Sequence, residues 1–318
     1  MTNKKKANSA VPNFGFRRFG IGMLLLSVIL SSCSLKQLAI NTVIDSLSGE
    51  GASVFTGDDD PQLIADALPF SLKLYEALLA QSPNHTGLLM TTGSGFVMYA
   101  NAFVQAPSDR LADDEYDLRL QMRARAKKLY LRGRNYLLDA IEVEHAGFKN
   151  SALSGGIDEY LSAMDADDVP LLYWCAAGWI AAVSIDSFDV ELGLTRATAA
   201  RIMETAYELD DSWGDGTIHE FYISYYGSLP AMLGGSEEKA RYHFDRAVEL
   251  SGGRKPGPFV ALATALSIKN QDVDEFRSLL ETALEIENDD PDSRLLTIIS
   301  QDKARWLLDN IEDYFLID

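Results

Sequence analysis

The 318-residue chain is poor in the residues from which reactive sites are usually built: it has two cysteines and four histidines. One disulfide at most can form, so no disulfide framework holds the fold. His85, His145, His219 and His243 form no His-Glu-x-x-His pair, and Cys-x-x-Cys is missing, so a zinc site lacks its usual spacing. There is no Gly-x-Ser-x-Gly elbow and no phosphate-cradling Gly-x-x-x-x-Gly-Lys loop. Positive charge is scarce as well, with 28 basic residues against 47 acidic ones. Such a surface repels nucleic acid and anionic headgroups, which excludes both as main partners. Alternating β-branched runs bounded by Asn-Gly turns do not occur, so no sheet is expected.

The N-terminus is informative. Lys4, Lys5, Lys6, Arg17 and Arg18 precede an apolar run from Ile21 to Leu30, the layout of an export signal. That run is well short of the roughly 20 apolar residues that span a bilayer. It ends in Leu30-Ser31-Ser32-Cys33, which resembles the bacterial lipobox. Cys33 is thus the expected lipidation site, because its thiol is the atom that accepts the lipid. Each buried methylene adds about 0.8 kcal/mol, so several acyl chains give a stable membrane anchor. The residues flanking Arg17-Arg18 fit a twin-arginine signal poorly. Cleavage before Cys33 removes five basic and no acidic residues, leaving 23 basic against 47 acidic, a net charge of −24. Ser34 follows Cys33 where an aspartate commonly retains lipoproteins at an inner membrane, which tilts the expectation toward the outer one. The expected organisation is a signal peptide at 1–32, a tether at 33–57 and one helical domain at 58–318.

Within 58–318 the pattern is helical nearly throughout. Asp58-Asp59-Asp60 before Pro61 reads as a helix start, with an acidic N-cap and proline in the first turn. Ser236 before Glu237-Glu238, and Asp272 with Glu275 three residues on, are further starts. Gly252-Gly253 is a stop. A recurring stripe has apolar or small residues at spacings of 4, 7 and 10. It appears as Phe70-Leu74-Ala77-Ala80, Gly133-Leu137-Ala140-Val143, Ala199-Met203-Ala206-Leu209, Ala240-Phe244-Ala247-Leu250 and Phe276-Leu280-Ala283-Ile286. The starts lie 63, 66, 41 and 36 residues apart, the last two approaching the 34-residue tetratricopeptide period. The expected fold class is all-α, built of tetratricopeptide-like helical hairpins stacked as a solenoid.

Cys175 sits in the apolar run Leu171-Leu172-Tyr173-Trp174-Cys175-Ala176-Ala177 and reads as a buried, inert thiol. Asp165-Ala166-Asp167-Asp168, and Asp210-Asp211 with Asp215, lack the spacing of a calcium loop and read as solvated helix ends. Neither a metal nor another cofactor is expected. Aromatic residues concentrate in two places: Tyr173, Trp174 and Trp179, then Trp213, Phe221, Tyr222, Tyr225 and Tyr226. Most should be core on helical spacing. An excess on two successive segments can also line a groove, so Tyr173, Trp174, Trp179, Trp213, His219 and Tyr222 are the candidate ligand- or partner-binding residues.

The stretch 85–315 resembles the T component of tripartite ATP-independent periplasmic (TRAP) transporters. The likeness is carried by Gly95-Phe96-Val97-Met98-Tyr99-Ala100-Asn101-Ala102-Phe103-Val104 and by Tyr173-Trp174-Cys175-Ala176-Ala177-Gly178-Trp179 with Ile185-Asp186. It continues through Leu209-Asp210-Asp211-Ser212-Trp213-Gly214-Asp215-Gly216 with His219-Glu220, through Glu238-Lys239-Ala240-Arg241-Tyr242-His243-Phe244, and through Phe276-Arg277-Ser278-Leu279-Leu280. The resemblance implies a non-enzymatic lipoprotein of the cell envelope, facing the periplasm. It also implies a periplasmic solute-binding protein as partner, a hydrophobic small molecule as solute, and a homo-oligomer, a trimer. The competing reading is an envelope scaffold that assembles membrane complexes through repeat grooves. A glycan-cleaving enzyme with an unrecognised carboxylate pair is a third.

Overall fold

The structure is a computed structural model that describes residues 53–287 and 289–316, together with the isolated residue 2. The signal at 1–32, Cys33 and the greater part of the tether lie outside the described residues. Every described element is helical; no strand occurs among the described residues. Ten principal helices follow in order: α1 (Pro61–Leu79), α2 (Thr86–Ala100), α3 (Tyr116–Glu144), α4 (Val169–Ile185), α5 (Val190–Leu209), α6 (Trp213–Ser228), α7 (Glu237–Ser251), α8 (Gly257–Leu262), α9 (Val273–Glu285) and α10 (Arg294–Asp309). Both α2 and α8 run on into five-residue π-helical turns, Asn101–Gln105 and Ala263–Ser267.

The local signals act where they were read. The Asp60 carboxylate accepts from the amides of Gln62 and Leu63, both at 3.0 Å, and Pro61 is the first residue of α1. Ser236 caps α7 through the Lys239 amide, and Asp272 caps α9 through the Glu275 amide. Such caps satisfy amides that the helix itself leaves orphaned. Glu275 does not turn back to complete a capping box. Its carboxylate instead accepts from Arg241 of α7 at 2.6 Å and from Ser267 at 2.7 Å, tying α7, the end of α8 and α9 together. Gly252 closes α7 in the left-handed conformation, as a helix stop should.

Helices pack on their sequence neighbours: α1 on α2, α2 on α3, α3 on α4, α4 on α5, then α6 on α7, α8 against α6, α7 and α9, and α9 on α10. Four of the five stripes supply these contacts. Gly133, Leu137 and Ala140, then Ala199, Met203 and Ala206, then Ala240 and Ala247, then Phe276, Leu280 and Ala283 are all buried. The first stripe is a correction. Phe70 is 74% exposed and Leu74 also faces solvent, while α1 buries Ile64, Leu68, Leu72, Tyr75 and Leu79. This helix is apolar on two faces, and the face with the longer unbroken run won the core.

A close approach joins α2, α3 and α4. A β-carbon at Gly133 would stand 2.6 Å from the Gly93 carbonyl oxygen and 2.8 Å from Val97; one at Gly178 would stand 2.6 Å from Val97. Thus α2 and α3 meet backbone to backbone at Gly93 and Gly133, while Gly178 of α4 fits against the Val97 side chain. By length and composition the segment Ala166–Ile185, which contains α4, could cross a membrane. Its packing against both α3 and α5 makes α4 a core helix of this fold. At the other end, α10 contacts α1 and the short helix Ser53–Thr56, and Arg110 lies 5.7 Å over the Trp306 ring. The first and last described helices thus meet.

Candidate functional site

Between α5 and α6 the serial packing lapses. Residues 210–216 separate α5 from the regular part of α6, since Gly214, Asp215 and Gly216 at its start are not helical, and few contacts join the two helices. The chain reverses here through Gly214, Asp215 and Gly216, all left-handed, with Asp215 at φ 50°. Gly216 fits close to α7, where a β-carbon would lie 3.0 Å from the Ala247 Cα. Left-handed Asp215 stores on the order of 1 kcal/mol of strain that neighbouring packing sustains. This turn aims α6 at α7 and leaves α5 to one side. The space between is a cleft of about 450 Å3, floored by Ile180, Ala200 and Met203 and walled by Tyr207, Phe221, Tyr222, Tyr225, Tyr226 and His243.

Helical spacing explains the wall. His219, Tyr222 and Tyr226 share one face of α6. Tyr222 stacks on His243 of α7 with ring centroids 4.8 Å apart and on Tyr226 at 5.4 Å. Tyr207 of α5 meets Tyr222 edge-on at 5.7 Å and His219 at 5.5 Å, reaching across the cleft. Aromatic pairs prefer these offset and edge-to-face arrangements, each worth about 0.5–1.5 kcal/mol beyond area burial.

Behind the wall lies a histidine pair. The Nδ1 atoms of His219 and His243 are 2.8 Å apart, and His219 Nε2 stands 3.3 Å from an Asp211 oxygen. A carboxylate only accepts, so the bond to Asp211 places a proton on His219 Nε2. The His219 Nδ1 lone pair then accepts from the protonated Nδ1 of His243. A second proton between the rings would break this bond. Burial pushes the His243 pKa down to about 4, with the neighbouring His219 and Lys239 adding to the effect. His219 is also lowered by burial, against the pull of Asp211. Burial likewise raises Tyr207 to about 12, and Tyr222 is raised chiefly by burial, so both wall phenols are neutral at physiological pH.

A second aromatic group involves α4 and the start of α6. Tyr173 contacts Trp213 at 4.9 Å and Trp174 at 5.3 Å. Burial raises the Tyr173 phenol, helped by the Glu220 charge. Glu220 is itself raised by burial, opposed by Lys255 and Lys303, and its carboxylate rests against the bare Cα of Gly257. The Lys303 ammonium is lowered by burial, with Asp109 and Glu220 acting the other way. Tyr173, Glu220 and Lys303 are all half-buried.

Of the residues singled out in the sequence, Tyr222 lines the cleft and His219 lies wholly buried behind it, while Tyr173, Trp174 and Trp213 assemble in the second group. Trp179 joins neither. It is wholly buried, donates to Thr195 Oγ1 at 3.0 Å, and carries Arg134 at 4.6 Å over its ring, so it is a core residue. Cys175 is buried and its thiol is pushed up to about 12, as an inert core cysteine should be. Asp168 is not a solvated helix end. It is buried, accepts from the Asp165 amide, and pairs with His145 at 3.0 Å to link the end of α3 to the turn before α4. With Glu144 these two form a cluster of ligating atoms within 4.8 Å of one another, although Glu144 is exposed. Sequence reasoning passed over Tyr207, Arg201 and Glu204, which complete the cleft. Tyr207 directly follows Ala206 of a buried stripe, and that adjacency was the available signal.

The TRAP transporter T-component family model matches residues 57–315, nearly the whole of the described domain. This chain belongs to the TRAP transporter T-component family. It is also 34% identical over 306 residues to an uncharacterized protein of Treponema pallidum (strain Nichols), with 91% of this chain and 95% of that protein covered. Membership makes the chain an accessory part of a solute transporter, associated with transporter components at a membrane. No catalytic family is indicated, in keeping with the shortage of reactive motifs.

Proposed function

We propose that this T component docks a periplasmic solute-binding protein at the α5–α6 cleft and offers the solute an aromatic path. The observation that carries the reading is the cleft itself. The helical stack opens at the α5–α6 seam, and that seam is lined by aromatic rings. Exposed aromatic pockets of this kind are where binding energy concentrates in protein interfaces. The group around Tyr173, Trp213, Glu220 and Lys303 supports an internal path for a largely apolar solute with a polar end. The helices form a solenoid of tetratricopeptide-like hairpins, held to the envelope, at the outer membrane, by acyl chains on Cys33 and facing the periplasm. The exposed apolar residues Phe188, Val190 and Leu194 at the start of α5 suit contact between copies, as a homotrimer would need.

The test is affinity capture of the tagged, full-length lipoprotein from native membranes, with mass spectrometry of proteins and small molecules. A solute-binding protein should be recovered in amounts comparable to the bait. If membrane assembly factors come down and no solute-binding protein does, the scaffold reading replaces this one.

A further inference from the structure

Resting on the docking surface just proposed, we propose further that the α5–α6 cleft is an aromatic cage for a single organic cation, and that its occupant is a lysine or arginine side chain of the docked partner. Tyr207, Phe221, Tyr222, Tyr225 and Tyr226 line a cleft of about 450 Å3 over a floor of Ile180, Ala200 and Met203, room for one long side chain with its head group. Ring faces are electron-rich, and a cation within about 6 Å of a centroid is attracted to them, most strongly when water is displaced. The structure already contains one such contact at the edge of the cage, with Lys239 Nζ 4.8 Å from the centre of the Tyr226 ring.

The rim charge has the matching sign. Arg201 is the one cationic lining residue, and it is bound to three carboxylates, Asp158 at 3.5 Å and Glu204 and Glu208 at 3.2 Å. With Lys239 at the edge counted, two cations against three carboxylates leave the rim with an excess of one negative charge. Glu204 also lines the cleft, so a carboxylate stands beside the rings. The chain as a whole carries −19, which draws a basic partner surface toward it. An apolar solute would gain from the rings and gain nothing from this rim. A basic side chain gains from both.

The experiment compares choline with its uncharged isostere 3,3-dimethylbutan-1-ol, titrated into the purified mature chain and read by NMR of tyrosine ring resonances. Choline should saturate the cleft tyrosines, and the isostere should bind about tenfold more weakly or worse. Tyr225→Leu should abolish the choline response, and Glu204→Gln should weaken it several-fold. A circular dichroism melt of each variant confirms that it folds. Equal binding of the two probes, or shifts unaffected by either substitution, overturns the cage.

The second arm repeats membrane capture with saturating choline or with sodium chloride of equal ionic strength. Loss of the solute-binding protein in choline alone supports the assignment. Capture that proceeds equally in both overturns the basic side chain as occupant while leaving the docking reading in place. Failure to capture any solute-binding protein in either salt sinks the docking reading and this assignment together.

Discussion

Two seams of the same helical stack, α2–α3–α4 and α5–α6, are built in opposite ways. At the first, Gly93 and Gly133 bring two backbones into contact, Gly178 admits the Val97 side chain, and a side chain at any of the three would collide with Val97, Leu137 or a carbonyl. At the second, large rings hold two helices apart around a cleft. Small residues at a crossing make a rigid, dry joint with no room for a ligand. Rings at a crossing leave polarisable surface that is only partly covered, at a place where backbone contact is sparse. The first seam should therefore govern stability and the second should govern binding.

The sharpest way to break that contrast is Gly133→Ala. A methyl group must enter a space 2.6 Å from the Gly93 oxygen. Overpacking of this kind costs about 3 kcal/mol when backbone blocks relief, so the melting temperature should drop by roughly 6–12 °C. A drop under 2 °C would mean the seam is looser than the geometry says. At the open seam, Tyr225→Ala should move the melting temperature by less than about 3 °C, since Tyr225 is half-buried at the cleft wall. The same change should reduce capture of the partner at least tenfold.

The histidine pair gives a pH test that separates the seams. His219 and His243 are lowered in the fold relative to an unfolded value near 6.5, so the unfolded chain takes up protons first on acidification. Stability from the neutral pair is complete above about pH 6.5 and is lost as pH falls toward 4. The loss should amount to on the order of 2 kcal/mol, visible in chemical denaturation at stepped pH. His243→Asn should flatten that dependence, whereas Gly133→Ala should shift the whole curve and keep its slope. The smallest effect expected is from Glu275→Gln at the Arg241 tie. That pair is partly exposed, so the change should cost less than about 1 kcal/mol in the same assay.

The sequence exposed what is decided within a turn or two of the chain. Asp60, Ser236 and Asp272 are readable as caps because a cap needs only the following three residues. Four of five stripes are readable because a buried helix face must repeat at helical spacing. Phe70 and Leu74 misled because α1 offers two apolar faces, and the choice between them belongs to α2. His219 and Tyr222 were visible as part of an aromatic excess. Trp179 was visible in the same way and is core, since only the position of Thr195 and Arg134 decides that. Tyr207, Arg201 and Glu204 stayed hidden because the cleft depends on α5 and α6 failing to pack, which is set by the left-handed turn at 214–216 and by the hold of α7 on α6. Long-range neighbours chose the site, and the local pattern only supplied its materials.

The most direct test of the cleft as the working surface is site-specific photocrosslinking in intact cells. A benzoylphenylalanine in place of Tyr225 should crosslink to the solute-binding protein. The same group in place of Leu118, exposed on α3, should give none. A crosslink to that partner from position 118 with none from 225 would contradict the account.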